Sequence, residues 1–208
     1  MLSQEQKRIE IVYSGFLNFD EANFPGAKIL TRDDSGQIHI IHEGVNMWCD
    51  KAIHYNDEDF IEAYGNVRMK QGDSINMNAK YIEYSGKTKL AFASGDVVLK
   101  ETNSTLKTDT LYYDRVKQQS YYKSGGTVVR DSSGTITSQI GRYYMENQKY
   151  QFVNNVKLVN PDYVIDTNHL DFYSETGHAY LFGPSTITTS ESKTYCERGF
   201  YDTELKIG

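Results

Sequence analysis

The sequence predicts an all-β protein, an elongated β-jelly-roll or stacked β-repeat in which two sheets face one another. Three observations predict it. One pattern recurs six times at a period of about thirty residues, the spacing of a stacked supersecondary unit. Inside each copy apolar and polar residues alternate with period two, as on a strand with one buried face. Seventeen tyrosines, with many Val, Ile and Thr, favour strands, while sixteen glycines and three prolines punctuate them. No stretch keeps a 3.6-residue amphipathic period beyond about ten residues, so little helix is expected.

The elements follow in chain order. Residues Met1–Lys7 lack the apolar core of a signal peptide. Either the protein is cytoplasmic, or a leader has been removed and Met1 is an expression start. Ile9, Ile11 and Tyr13 alternate as a leading strand. The stretch from Gly15 to Ile41 departs from the repeat and carries an acidic turn at Asp33-Asp34-Ser35-Gly36, so residues 1–41 form an N-terminal strand and cap, or an elaborated first unit. Residues 42–208 then form one continuous repeat body. Its clearest units begin Gly65-Asn66-Val67, Gly95-Asp96-Val97, Gly126-Thr127-Val128 and Asn154-Asn155-Val156. A second marker is an aromatic at Tyr55, Tyr84, Tyr113, Tyr144, Phe172 and Tyr201, expected to stack from rung to rung. In the clearest unit Val67 and Met69 alternate with Arg68 and Lys70, and Gln71-Gly72-Asp73 turns the chain. Ile75 and Met77 continue the alternation, but Ile82 and Tyr84 resume one residue out of phase. A bulge or corner must therefore sit near Ala79-Lys80. Ser85-Gly86-Lys87 is the next turn and Gly95 the next corner. An uncapped stack leaves an open strand edge at its C-terminal end, which is either blunted or used for pairing.

Composition excludes several functions. A formal net charge of −6, with Lys and Arg scattered along the repeats, excludes a nucleic-acid partner. No eighteen-residue apolar run offers a membrane-spanning helix. At ~4.8 Å per rung, Cys49 and Cys196 lie about five rungs apart, beyond disulfide reach, so two free, packed thiols are expected. Asp109, Asp114, Asp166 and Asp171 are the carboxylates that could be paired for glycoside cleavage, but solvated surface acids are the expected reading. His39 and His42, three apart, fall on opposite faces of a strand and cannot share a metal. Asn56-Asp57-Glu58-Asp59 lacks the alternation and glycine of a calcium loop and reads as a solvated turn. No nucleophile elbow, phosphate loop or Cys-x-x-Cys occurs. No enzyme activity, metal or cofactor is expected.

Glu62-Ala63-Tyr64-Gly65-Asn66-Val67, then Gln71-Gly72-Asp73, then Ala79-Lys80-Tyr81-Ile82-Glu83-Tyr84, with a second copy in Lys89-Leu90-Ala91-Phe92-Ala93-Ser94-Gly95-Asp96-Val97, resemble the OstA-like, or LptA-like, proteins of lipopolysaccharide transport. The resemblance covers residues 40 to 205. It departs at Gly126-Thr127, at Asn154 in place of glycine, and at Pro184-Ser185, which interrupts the last unit. The resemblance implies a periplasmic carrier that shelters the acyl chains of lipid A in an apolar groove. It implies as partners an inner-membrane extraction complex and an outer-membrane translocon of the same fold, with self-association end to end by strand addition. The groove lining expected on this basis is Val67, Met69, Ile75, Met77, Ile82, Leu90, Phe92, Val97, Leu99, Leu106, Leu111, Val128, Ile136, Val156, Leu158 and Ile165. The alternatives are a dry β-scaffold that docks to an outer-membrane partner, and a periplasmic piece of a larger translocon-type protein. A carbohydrate-binding or carbohydrate-cleaving repeat would need exposed aromatics beside acidic pairs on one sheet face.

Overall fold

The computed structural model describes residues 8–131 and 133–208; residues 1–7, where a leader was sought, lie outside the described residues. The fold is all-β, and among the described residues every regular element is a strand. The chain divides into two compact units, Met1–Glu101 and Thr102–Gly208.

Unit 1 contains β1 (Glu10–Tyr13), β2 (Phe16–Asn18), β3 (Ala27–Thr31), β4 (Ile38–His42), β5 (Val45–Cys49), β6 (Lys51–Tyr55), β7 (Phe60–Gln71), β8 (Ile75–Ser85) and β9 (Leu90–Lys100). All pairings are antiparallel. The short strands belong to one sheet each, whereas β7, β8 and β9 run through both. The first sheet is β1-β4-β5, continued by the end of β7, the start of β8 and the end of β9. The second is β2-β3-β6, continued by the other halves of the same long strands. Unit 2 repeats the plan with β10 (Ser104–Asp114), β11 (Gln119–Tyr122), β12 (Gly126–Arg130), β13 (Gly134–Ser138), β14 (Ile140–Tyr144), β15 (Lys149–Asn160), β16 (Tyr163–Tyr173), β17 (His178–Thr189) and β18 (Lys193–Asp202). There β12 and β13 serve the first sheet, β11 and β14 the second, and the long strands serve both.

The long strands bend where their ladders slip register. On β7 the slip between Tyr64 and Val67 holds Gly65 (φ 74°) and Asn66 (φ 42°); β9 places Gly95 (φ 79°) and Asp96 (φ 52°) at the same level. On β15 the pair is Asn154 (φ 66°) and Asn155 (φ 52°). Left-handed backbone is free for glycine and least costly for Asn and Asp among the rest, which is why these residue types recur. Asn154, where glycine was expected, is thus a working substitute. Pro184 does not interrupt its unit: it follows Gly183 (φ 86°) inside the slip of β17, where the ladder has no use for the missing N–H.

Direction decides the form of the bend. Strands running from the second sheet to the first advance four residues between flanking inward side chains: Ala63 to Val67, Ala93 to Val97, Phe152 to Val156. Strands running back advance three, as from Ala79 to Ile82. This is the phase change the sequence placed near Ala79-Lys80. L-residues twist with one hand, so the two directions through a corner are not equivalent.

The turns at Gln71–Asp73 and Ser85–Lys87 and the leading strand lie where the sequence put them. The aromatic series keeps its period but not its face. Cross-strand register joins Tyr113, Ser120, Tyr143, Tyr150, Phe172, Ala179 and Tyr201 in one row, leaving Tyr144 one residue off. Tyr84 shares a row with Ile61 and His54, while Tyr55 sits in the adjacent one. His39 and His42 do face opposite ways: His39 stacks on Trp48 at 4.8 Å, and His42 is buried inside.

Candidate functional site

The site is the apolar space between the two sheets of each unit. In unit 1 the first sheet turns inward a row running Ile40, Met47, Met69, Met77 and Leu99. Three unbranched thioethers in one row make an adaptable lining. The second sheet answers with Leu30, Ala52, Ala63, Ile82 and Ala93, and its three alanines leave room for the methionines. In unit 2 the first-sheet row is Leu106, Val128, Ile136, Leu158, Ile165 and Ile187. Opposite lie Phe152, Leu170 and Leu181 beside the aromatic row.

Each interior is bounded on one side by the bends and on the other by hairpin ends. We call that second side the mouth, because polar contacts rather than backbone join the sheets there. In unit 1 Glu43 meets Lys89 at 2.7 Å, and His42 Nδ1 shares a hydrogen bond of 2.9 Å with the Tyr84 hydroxyl. His54, nearly fully buried, faces the same side with its Nδ1 unpartnered. Burial first, and then the Lys28 ammonium, hold its imidazole below the ordinary value. At the bend side, Asp50 accepts hydrogen bonds from Gln37 (3.0 Å) and Asn66 (2.6 Å). Burial raises its carboxyl, but those bonds and Arg32 outweigh it and leave it below the usual carboxylate range. The bends also border open concavities of about 320 Å³ in unit 1 and about 520 Å³ in unit 2.

Of the residues expected to line a groove, Val67, Met77, Ile82, Val97, Leu99, Leu111, Val128, Ile136, Val156, Leu158 and Ile165 are buried, and Met69, Ile75 and Leu106 are half-buried. The structure brings all of these to inward rows. It does not bring Leu90 or Phe92, which lie on the outer face in the row pattern of Glu62 and Glu83; Leu90 is 49% exposed. Missed in the sequence were Ile38, Ile40, Met47 and Cys49, although Ile38-His39-Ile40 and Met47-Trp48-Cys49 alternate cleanly. Both cysteines are free; burial pushes the Cys49 thiol up to about 12, so it stays protonated.

Of the four carboxylates considered for cleavage, Asp109 is exposed and the other three are engaged otherwise. Asp166 pairs with Lys157 at 3.0 Å, Asp171 with Lys149 at 2.5 Å, and Asp114 caps its own turn through the amides of Val116 and Lys117. Asp59 is not solvated: it is buried and accepts the Ile9 amide at 2.9 Å. In the acidic pair the sequence reading overlooked, Glu62 opposite Glu83, the Tyr81 hydroxyl lies between the two carboxylates, 3.0 Å from one and 2.9 Å from the other, with one proton to share. Burial and these bonds push the Tyr81 phenol up.

No curated protein matches the sequence. Among solved structures it is similar to LptH of Pseudomonas aeruginosa, the LptA-homologous periplasmic component of the conserved lipopolysaccharide transport device. The TM-score is 0.44 and the identity 13%, over 48% of this chain and 75% of that one. Residues 6–168 match the family described as OstA-like protein, well over half of the chain, and the chain therefore belongs to the OstA-like family.

Proposed function

We propose that this protein is a periplasmic, non-enzymatic carrier of lipopolysaccharide. Membership of the OstA-like family supports a periplasmic role in lipopolysaccharide transport in general. The observation that carries the finer reading is the pair of apolar interiors, each backed by bends and, among the described residues of unit 1, closed on the other side by polar side-chain contacts. Acyl chains enter by parting the sheets at the mouth, where Glu43–Lys89 and His42–Tyr84 give way in unit 1. Each sheltered CH₂ is worth ~0.8 kcal/mol, so a few chains bind without covalent chemistry. An aliphatic lining reads chain shape loosely, which suits cargo that must be released.

Partners are proposed on the same footing. A copy of this chain, or an extraction complex and a translocon bearing the same fold, would add a strand to an open edge. Two features support this. Among the described residues β18 pairs only with β17, and the β1–β2 edge exposes Val12, Phe16, Leu17 and Phe19.

The test is photocrosslinking in Gram-negative cells, with a photoreactive residue at Met77, Leu99 or Leu158 and controls at Lys70 and Lys100. The lysines occupy the outward row of the same sheet, paired through Asn76. Lipopolysaccharide adducts at the inward positions alone are expected. A folded protein with no adduct at any of them would replace the carrier by a dry scaffold that docks to a partner.

A further inference from the structure

The inward face of β12 runs from Val128 to Arg130, so it ends at the mouth of unit 2 in a cation. Arg130 is only 9% exposed, yet among the described residues no carboxylate lies within ion-pair distance of it. Its guanidinium lies over Phe172, 5.6 Å from the ring centre, and Tyr150, 5.9 Å away. One Nη donates to the Ser174 carbonyl at 3.3 Å, while Nε is buried without a partner.

A guanidinium carries five N–H donors in a rigid planar fork. Stacking on rings engages its faces and leaves the edge donors free. Burying such donors without acceptors is costly, and a buried charge is ordinarily met by an opposite one. In register beside Arg130 stand Ser104 on β10 and Gly134 on β13. The Ser104 hydroxyl lies 3.4 Å from that of Tyr150.

We propose that Arg130 is the head-group subsite of unit 2. It takes an oxyanion, phosphate or carboxylate, carried by an amphiphile whose alkyl chains lie deeper, between Leu106, Val128, Ile136 and Leu158. The fork's edge meets two oxygens of the anion. The inference rests on the carrier reading and adds that the cargo enters chain-first, with its charge halted at the mouth.

The experiment compares dodecyl phosphate with the neutral dodecyl maltoside by displacement of a fluorescent fatty amphiphile from the intact protein. The wild type is expected to prefer the phosphate by roughly tenfold, the worth of one or two charge-assisted hydrogen bonds. Arg130→Gln should erase that preference; Arg130→Lys, which keeps the charge but loses the fork, should retain part of it. Equal affinities in the wild type would overturn the subsite and leave the carrier reading standing. Displacement of dodecyl phosphate by millimolar inorganic phosphate would also overturn it, since the site would then serve a free anion. If neither detergent binds, the carrier reading fails. Where dodecyl phosphate binds, the subsite is also read from the Arg130 Nε–H resonance of ¹⁵N-labelled wild type titrated with it: an unmoved signal overturns it. The same resonance serves if the variants do not fold.

Discussion

Single residues here are fixed less by what they are than by what lies against them. Gly86 is required because a Cβ there would sit 1.9 Å from the Asp59 carboxylate, the group that tethers Ile9. Gly86→Ala must therefore displace Asp59, and we expect a loss of about 2 kcal/mol or more in urea unfolding. Gly72→Ala, with open space at its Cβ, loses less and does so through its φ of 58°. His54 contributes a pH dependence of known sign. Burial and Lys28 depress its folded value, against the pull of Asp59, so the unfolded chain takes a proton that the folded one resists. Stability is full above the unfolded value of about 6.5 and falls as pH drops below it. His54→Leu should flatten the stability profile between about pH 6.5 and 5, whatever it does to the absolute level. Parallel profiles would show that the imidazole is not held neutral.

At the scale of the element, the bends are the sites of strain. Asn154 (φ 66°) tolerates the left-handed region that a β-branched side chain resists. Asn154→Gly should be neutral or slightly stabilising, and Asn154→Val should cost about 1–2 kcal/mol in the same unfolding measurement. Much of this was legible in the sequence. The Gly-Asn steps mark corners and the slipped alternation after Ala79 marks the phase change, because both are local backbone chemistry. What failed was the choice of face. Leu90 and Phe92 were taken as lining because they alternate with Lys89 and Ala91. The inward positions are in fact Ala91 and Ala93, small because long methionines occupy the space opposite. Size complementarity across two sheets is a property of pairs distant in sequence, and no single strand records it. The tyrosine ladder failed similarly: a period of about thirty residues fixes spacing, whereas a bend that advances three residues in one direction and four in the other resets which face a side chain takes.

At the scale of the molecule, edges decide association. Val12, Phe16, Leu17 and Phe19 are exposed on or next to β1 and β2, each of which has one strand partner among the described residues, and such an edge is an invitation to another strand. Phe16→Lys with Leu17→Lys should lower self-association in sedimentation velocity without changing the far-ultraviolet spectrum. An unchanged sedimentation profile would place any end-to-end contact elsewhere.

The two kinds of corner also explain the length of the repeat. A strand of about a dozen residues cannot be copied alone, since a copy placed beside its parent would run the opposite way and carry the wrong bend for its direction. The smallest piece that can be duplicated and still fit is a hairpin, one strand of each kind with its two turns, and that is the distance from Gly65 to Gly95. The heritable module is the pair, and inserting another lengthens both sheets together, with every corner already matched.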